Sequence, residues 1–117
     1  MELEVGQFVR TKDGEIHKIK SINDEYIEYE NGFGIPYELK EYIVKASYNI
    51  IDILKVGDIL VDNTNRKSEV LLIDDELMVR NTGLIYDNNY YLPIKSIAIK
   101  SVITHEKMEQ MAYKVEE

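Results

Sequence analysis

The sequence predicts a mainly β protein built from two tandem copies of one small unit. Two observations lead there. First, the stretch from Leu3 to Gly32 aligns without a gap on the stretch from Leu54 to Gly83, at a constant offset of 51 residues. Leu3, Val5 and Gly6 fall on Leu54, Val56 and Gly57, Val9 on Leu60, Ile19 on Val70, and Ile22 on Ile73. Asp24 and Glu25 fall on Asp75 and Glu76, Ile27 on Met78 and Gly32 on Gly83. Self-similarity at a fixed spacing marks a repeated structural unit. Second, each copy is a series of short runs rich in β-branched and aromatic residues, separated by turn formers.

In the first copy, Gly6 precedes a β-rich run ending near Arg10, where a turn or bulge would place it. Asp13-Gly14 then stands between two apolar runs, a strong hairpin signal. Glu15 to Ile22 alternates imperfectly, as a strand with a bulge does. Asn23-Asp24-Glu25 turns the chain into a strand from Tyr26 to Glu30, and Asn31-Gly32 turns it again. The stretch from Phe33 to Lys40, with Gly34 and Pro36, reads as a loop, and Tyr42 to Lys45 as a closing strand. Ser47 to Leu54 reads as a helical turn capped by Ser47 or Asn49. It has no flexible-linker composition, and Ile50 and Ile51 need burial, so the two units are expected to pack together.

The second copy follows with strands from Asp58 to Val61, Glu69 to Ile73 and Leu77 to Arg80, a longer loop from Leu84 to Pro93, and a strand from Ser96 to Lys100. Thr104 caps an expected short helix, and Ala112 to Val115 reads as a last strand. Four or five short strands joined by tight turns within about fifty residues suggest a small barrel of the SH3-like kind. The expected architecture is two tandem SH3-like barrels packed together, each ending in a short helix, over residues 1–50 and 51–117.

The chain of 117 residues carries a net charge of −8 and no cysteine. The first argues against direct nucleic-acid binding, which needs a basic patch. The second excludes disulfides, thiolate metal sites and cysteine nucleophiles, and fits a reducing compartment. The opening Met-Glu-Leu-Glu lacks a basic, apolar leader, and no run is long enough to span a membrane, so a soluble cytoplasmic protein is expected.

Chemistry-bearing motifs are sparse. His17 and His105 have no HxH or HxxxH spacing, so neither a zinc site nor a histidine base is expected; His17 reads as a half-exposed strand residue. No phosphate loop, catalytic triad or nucleotide fingerprint occurs, and no enzymatic activity, metal or cofactor is expected. The carboxylates Asp24, Glu25, Glu28 and Glu30 and the run Asp74, Asp75 and Glu76 do not match a calcium loop. On corresponding turns of two copies they could instead imitate spaced phosphates toward a cationic groove. Phe33, Tyr37, Tyr86, Tyr90 and Tyr91 sit in the two matching loops, as contact residues or as platforms for a nucleobase, with Arg80 near enough in sequence to hold a phosphate.

Three stretches carry a resemblance: Val5-Gly-Gln-Phe-Val-Arg-Thr-Lys-Asp-Gly14, Ile43 through Asp58, and Ile99 through Lys114. They resemble a family of small uncharacterised proteins of phages and prophages from clostridia and related bacteria. The resemblance implies an accessory gene of a mobile element and carries no catalytic residues. The tyrosine loops and the turn carboxylates lie outside it. The opening is also similar to KOW-type and other SH3-like modules of transcription and translation proteins.

From that context the expected function is a non-enzymatic inhibitor of a host anti-phage system, such as a CRISPR effector, whose basic nucleic-acid channel the acidic turns would occupy. The alternatives are a sponge for a nucleotide immune signal, held by the loop tyrosines and Arg80, and a phage structural or transcription-associated adaptor. An open edge strand would also allow a homo-oligomer.

Overall fold

The structure, a computed structural model, describes residues 2–81 and 91–111. The chain divides into two compact units, Met1–Ile53 and Leu54–Glu117. Each holds a five-stranded antiparallel sheet.

The first unit runs β1 (Phe8–Thr11), β2 (Ile16–Ile22), β3 (Tyr26–Tyr29), β4 (Gly34–Pro36) and β5 (Ile43–Ser47), in the sheet order β4-β3-β2-β1-β5. A 3-10 helix, Tyr37–Tyr42, joins β4 to β5, and a second, Ile50–Ile53, follows β5. The second unit runs β6 (Ile59–Asp62), β7 (Lys67–Ile73), β8 (Glu76–Asn81), β9 (Tyr91–Pro93) and β10 (Ile99–Ile103), in the order β10-β6-β7-β8-β9. A 3-10 turn at Ile94–Ser96 precedes β10, and α1 (His105–Met111) follows it.

The sheets are open, which corrects the expected closed barrels. The edge strands β4 and β5 do not pair. β4 is three residues long and ends at Pro36, which has no N–H to extend a ladder. Pro93 ends β9 in the same way. Two further expectations are corrected. The stretch read as a loop after Phe33 contains β4 and a 3-10 helix, and the strand expected from Ser96 to Lys100 lies at Ile99–Ile103, because the chain enters a 3-10 turn directly after Pro93. The expected strand from Ala112 to Val115 lies outside the described residues.

The duplication is visible in individual hydrogen bonds. Each unit opens on one turn: the Gln7 side chain accepts from the Glu4 N–H at 2.9 Å, and Asp58 accepts from the Lys55 N–H at 2.8 Å. The turn places Gly6 at φ +91° and Gly57 at φ +93°, a region that L side chains rarely adopt. Each first hairpin closes alike. The Glu15 N–H is held by the Thr11 hydroxyl at 3.0 Å, and the Arg66 N–H by the Asp62 carboxylate at 3.0 Å. The left-handed position of that turn is Gly14 in one unit (φ 83°) and Asn65 in the other (φ 64°).

Past the second strands the copies part. Unit one turns through Asn23, whose side chain accepts the N–H groups of Glu25 and Tyr26 at 2.8 Å each, and closes on Ile22 opposite Ile27. A bulge between Ile19 and Ser21 rephases the alternation, so Ile19 and Ile22 both pack on the core although three positions apart. Unit two turns in two residues, Asp74 and Asp75 at φ 51° and 65°, and closes on Ile73 opposite Glu76 with an unbroken register.

Val9, Ile19, Ile27, Tyr29 and Ile43 form the first core, with Leu3, Ile22, Ile35, Tyr37 and Ala46 around them. Arg10 is fully buried beside it, and its Nη1 donates to the Ile53 carbonyl at 3.0 Å. The second unit buries Leu54, Leu60, Val70, Val79 and Ile94. Its buried Asp58 takes the His105 N–H at 3.0 Å, which ties the start of α1 to the opening turn. The Thr104 hydroxyl accepts the Lys107 N–H at 3.3 Å, as its predicted capping role requires. Among the described residues no helix is long and apolar enough to cross a membrane.

Candidate functional site

In an antiparallel meander alternate turns share an end of the sheet. The β1–β2 and β3–β4 turns therefore lie together, and β5 begins beside them, since Thr11 pairs with Ile43. At this end a cleft of about 480 Å³ is lined by Thr11, Glu15, His17, Tyr29, Asn31, Phe33 and Tyr42, with Gly34 and Ile35 behind. Gly34 is obligatory in that wall, because a Cβ there would stand 2.0 Å from the Ile27 carbonyl oxygen.

Its side chains constrain one another in sequence. The Asn31 Oδ1 accepts the Phe33 N–H at 3.0 Å. That turns the amide nitrogen toward His17 Nδ1, 3.4 Å away, so Nδ1 is the acceptor. The ring proton then belongs on Nε2, which donates to the Glu15 carboxylate at 2.9 Å. The His17 ring lies flat on Tyr29, centroids 4.2 Å apart and planes 5° from parallel. Both ring nitrogens are thus engaged within the cleft wall.

Tyr29 is 3% exposed, and its hydroxyl is buried without a hydrogen-bond partner. Burial first, then the charges of Glu15 and Asp13, push its pKa up to about 12. Tyr42 is also shifted upward, by desolvation and then by its hydrogen bond to Asp13. Asp13 is in turn held by the Thr11 hydroxyl. Phe33 stands at the mouth, 75% exposed. The cleft is thus aromatic and electronegative, and among the described residues no lysine or arginine lines it.

Of the residues singled out from sequence, Phe33 is in this cleft. Tyr37 is not: it packs on the core, with Lys40 Nζ 4.8 Å from its ring centre. Asp24 and Glu25 are exposed on the turn at the opposite end of the sheet. Glu28 accepts from the Ser21 hydroxyl at 3.1 Å, and Glu30 lies 4.0 Å from Lys18 Nζ. In the second unit Asp74 and Asp75 form the exposed turn, whereas Glu76 begins β8. The 51-residue offset sets Glu25, in a turn, against Glu76, on a strand, because the bulge between Ile19 and Ser21 gives the first hairpin one residue that the unbroken β7–β8 register lacks; in the structure Asp24-Glu25 therefore matches Asp74-Asp75. Arg80 Nη2 is already bound to Glu69 at 3.2 Å across the β7–β8 pair, where a phosphate would have to displace it. Tyr91 begins β9, opposite Arg80, while Tyr86 and Tyr90 lie outside the described residues.

Sequence reasoning missed Glu15, His17, Tyr29, Asn31 and Tyr42. A signal was present in part: Glu15, His17 and Ile19 share a face by alternation, and Asp13-Gly14 and Asn31-Gly32 are turns of the same handedness one hairpin apart. Among the described residues no group of histidines and carboxylates could hold a metal ion. Compared with known protein families, with curated proteins and with solved structures, the chain finds no match.

Proposed function

We propose that the protein is a non-enzymatic binding protein that engages a basic partner through acidic surface. In a phage or prophage setting the fitting partner is a component of a host anti-phage system, such as a CRISPR effector, whose cationic nucleic-acid channel the protein would occlude. The observation that carries this reading is charge. At a net charge of −8, both β-hairpin turns Asp24-Glu25 and Asp74-Asp75 present their carboxylates to solvent. The engagement of both His17 nitrogens supports binding over catalysis.

We also infer that each unit follows an open variant of the SH3-like plan. Supporting it are the pairing of the first strand with the last and the 3-10 turn just before that last strand.

Affinity capture from infected host cells tests the function. The expected result is a basic partner recovered at about 0.1 M salt, released at about 0.5 M, and lost when Asp24, Glu25, Asp74 and Asp75 are changed to lysine. A partner held equally at both salt concentrations, or by the charge-reversed chain, overturns it.

A further inference from the structure

We propose that the cleft of the first unit receives the cationic end of a lysine or arginine side chain from a protein partner. The inference rests on the basic-partner reading above and gives that partner a specific seat.

Three features select the ligand. The first is the buried Tyr29 hydroxyl, which has no partner. A phenylalanine would fill the same space without stranding an oxygen, so the hydroxyl is retained at a cost that a ligand donor would offset. The second is the hydrogen-bonding character of the wall. His17 spends its Nε2 proton on Glu15, and Asn31 spends one of its two amide hydrogens on His17, so hydroxyl and carboxylate oxygens dominate the chemistry the wall presents. Ammonium and guanidinium groups are donors without acceptors, the complement of such a wall. The Glu15 carboxylate in the lining and the nearby Asp13 disfavour an anion, and among the described residues no lysine or arginine lines the cleft to hold one. The third is the aromatic lining. Tyr29, Phe33 and Tyr42 are among the lining residues, and an aromatic lining suits a cation. The exposed Phe33 ring at the mouth adds an apolar rim that a polypeptide would cover and a free metal ion would not.

The test is an NMR titration of the full ¹⁵N-labelled chain with Nα-acetyl-lysine methylamide and Nα-acetyl-arginine methylamide. Nα-acetyl-norleucine methylamide serves as the uncharged control and polylysine as the probe of the acidic surface. Saturable shifts at the Asn31, Phe33 and Gly34 amides are expected with at least one cationic probe and not with norleucine. Tyr29→Phe and Glu15→Gln are each expected to weaken that binding about tenfold, the size of one hydrogen bond to a charged group. Equal binding of the norleucine probe, or unchanged affinity in both variants, overturns the proposal. If polylysine binds while the cleft amides stay unmoved, the cleft assignment falls and the acidic-surface reading stands. If polylysine does not bind, both fall.

Discussion

Replacing Tyr29 with phenylalanine separates what this residue does for the fold from what it does for the site. The hydroxyl is buried and has no partner, in a side chain 3% exposed. An unpaired buried polar group costs about 1–3 kcal/mol. Tyr29→Phe is therefore expected to raise stability at pH 7, by about 1 kcal/mol, since polar neighbours line the cleft. A second effect appears in alkali. Burial and the Glu15 and Asp13 charges raise the Tyr29 pKa from 10.0 to about 12. The native state thus holds this proton more tightly than the unfolded chain does. The resulting stability is full below about pH 10 and is lost as pH rises through about 12. A shift of that size is worth roughly 3 kcal/mol at about 1.4 kcal/mol per pH unit. Phenylalanine has no proton to lose, so between about pH 9 and 12 the native protein should lose roughly 2 kcal/mol more than the variant, the native tyrosine being half ionised at the upper limit. Urea unfolding of both proteins across that range measures the difference directly. Parallel pH profiles would refute the argument, as would a variant less stable than the native protein at pH 7.

Two other substitutions probe the duplicated turns. Asp58→Ala strands two N–H groups, those of Lys55 and His105, and should cost about 3 kcal/mol in urea unfolding, whereas Gln7→Ala, which frees the exposed Glu4 N–H, should cost under about 1 kcal/mol; equal losses would contradict the burial argument. The Asp62 carboxyl is held below its ordinary 3.8 by the Thr64 hydroxyl and the Arg66 N–H. Its stabilising contribution is present above that value and disappears as pH falls through the lower native one, so Asp62→Asn should flatten the acid limb of a melting-temperature profile between about pH 2 and 5, and superimposable limbs would count against it.

The parts of the fold legible in the sequence are those that local chemistry specifies. Gly6 and Gly57 announce the same opening turn because few residues other than glycine adopt its left-handed position. Gly14 does so again, and Asn65 replaces it at no change of geometry, which is why the 51-residue match survives through Val70. The imperfect alternation between Glu15 and Ile22 correctly signals the bulge. The match slips by one residue before the next turn, because the first unit carries the bulge between Ile19 and Ser21 and the second keeps an unbroken register.

The site was largely hidden for a different reason. His17 seemed solitary because its partners are Glu15 on its own strand face, Asn31 in a turn one hairpin away and Tyr29 on the neighbouring strand. Strand alternation places Glu15 beside it; only strand pairing brings the other two.

The amino-acid sequence by itself determined the β character, the duplication, the acidic surface and the handed turns, since each follows from a residue's own charge, shape or backbone freedom. The tertiary structure alone decided that the sheets stay open, that Arg80 is committed to Glu69, and that Tyr29, with its buried and unpartnered hydroxyl, joins Glu15 and two further aromatic rings around one cleft. Those depend on register, and register is set by the summed packing and pairing of whole strands.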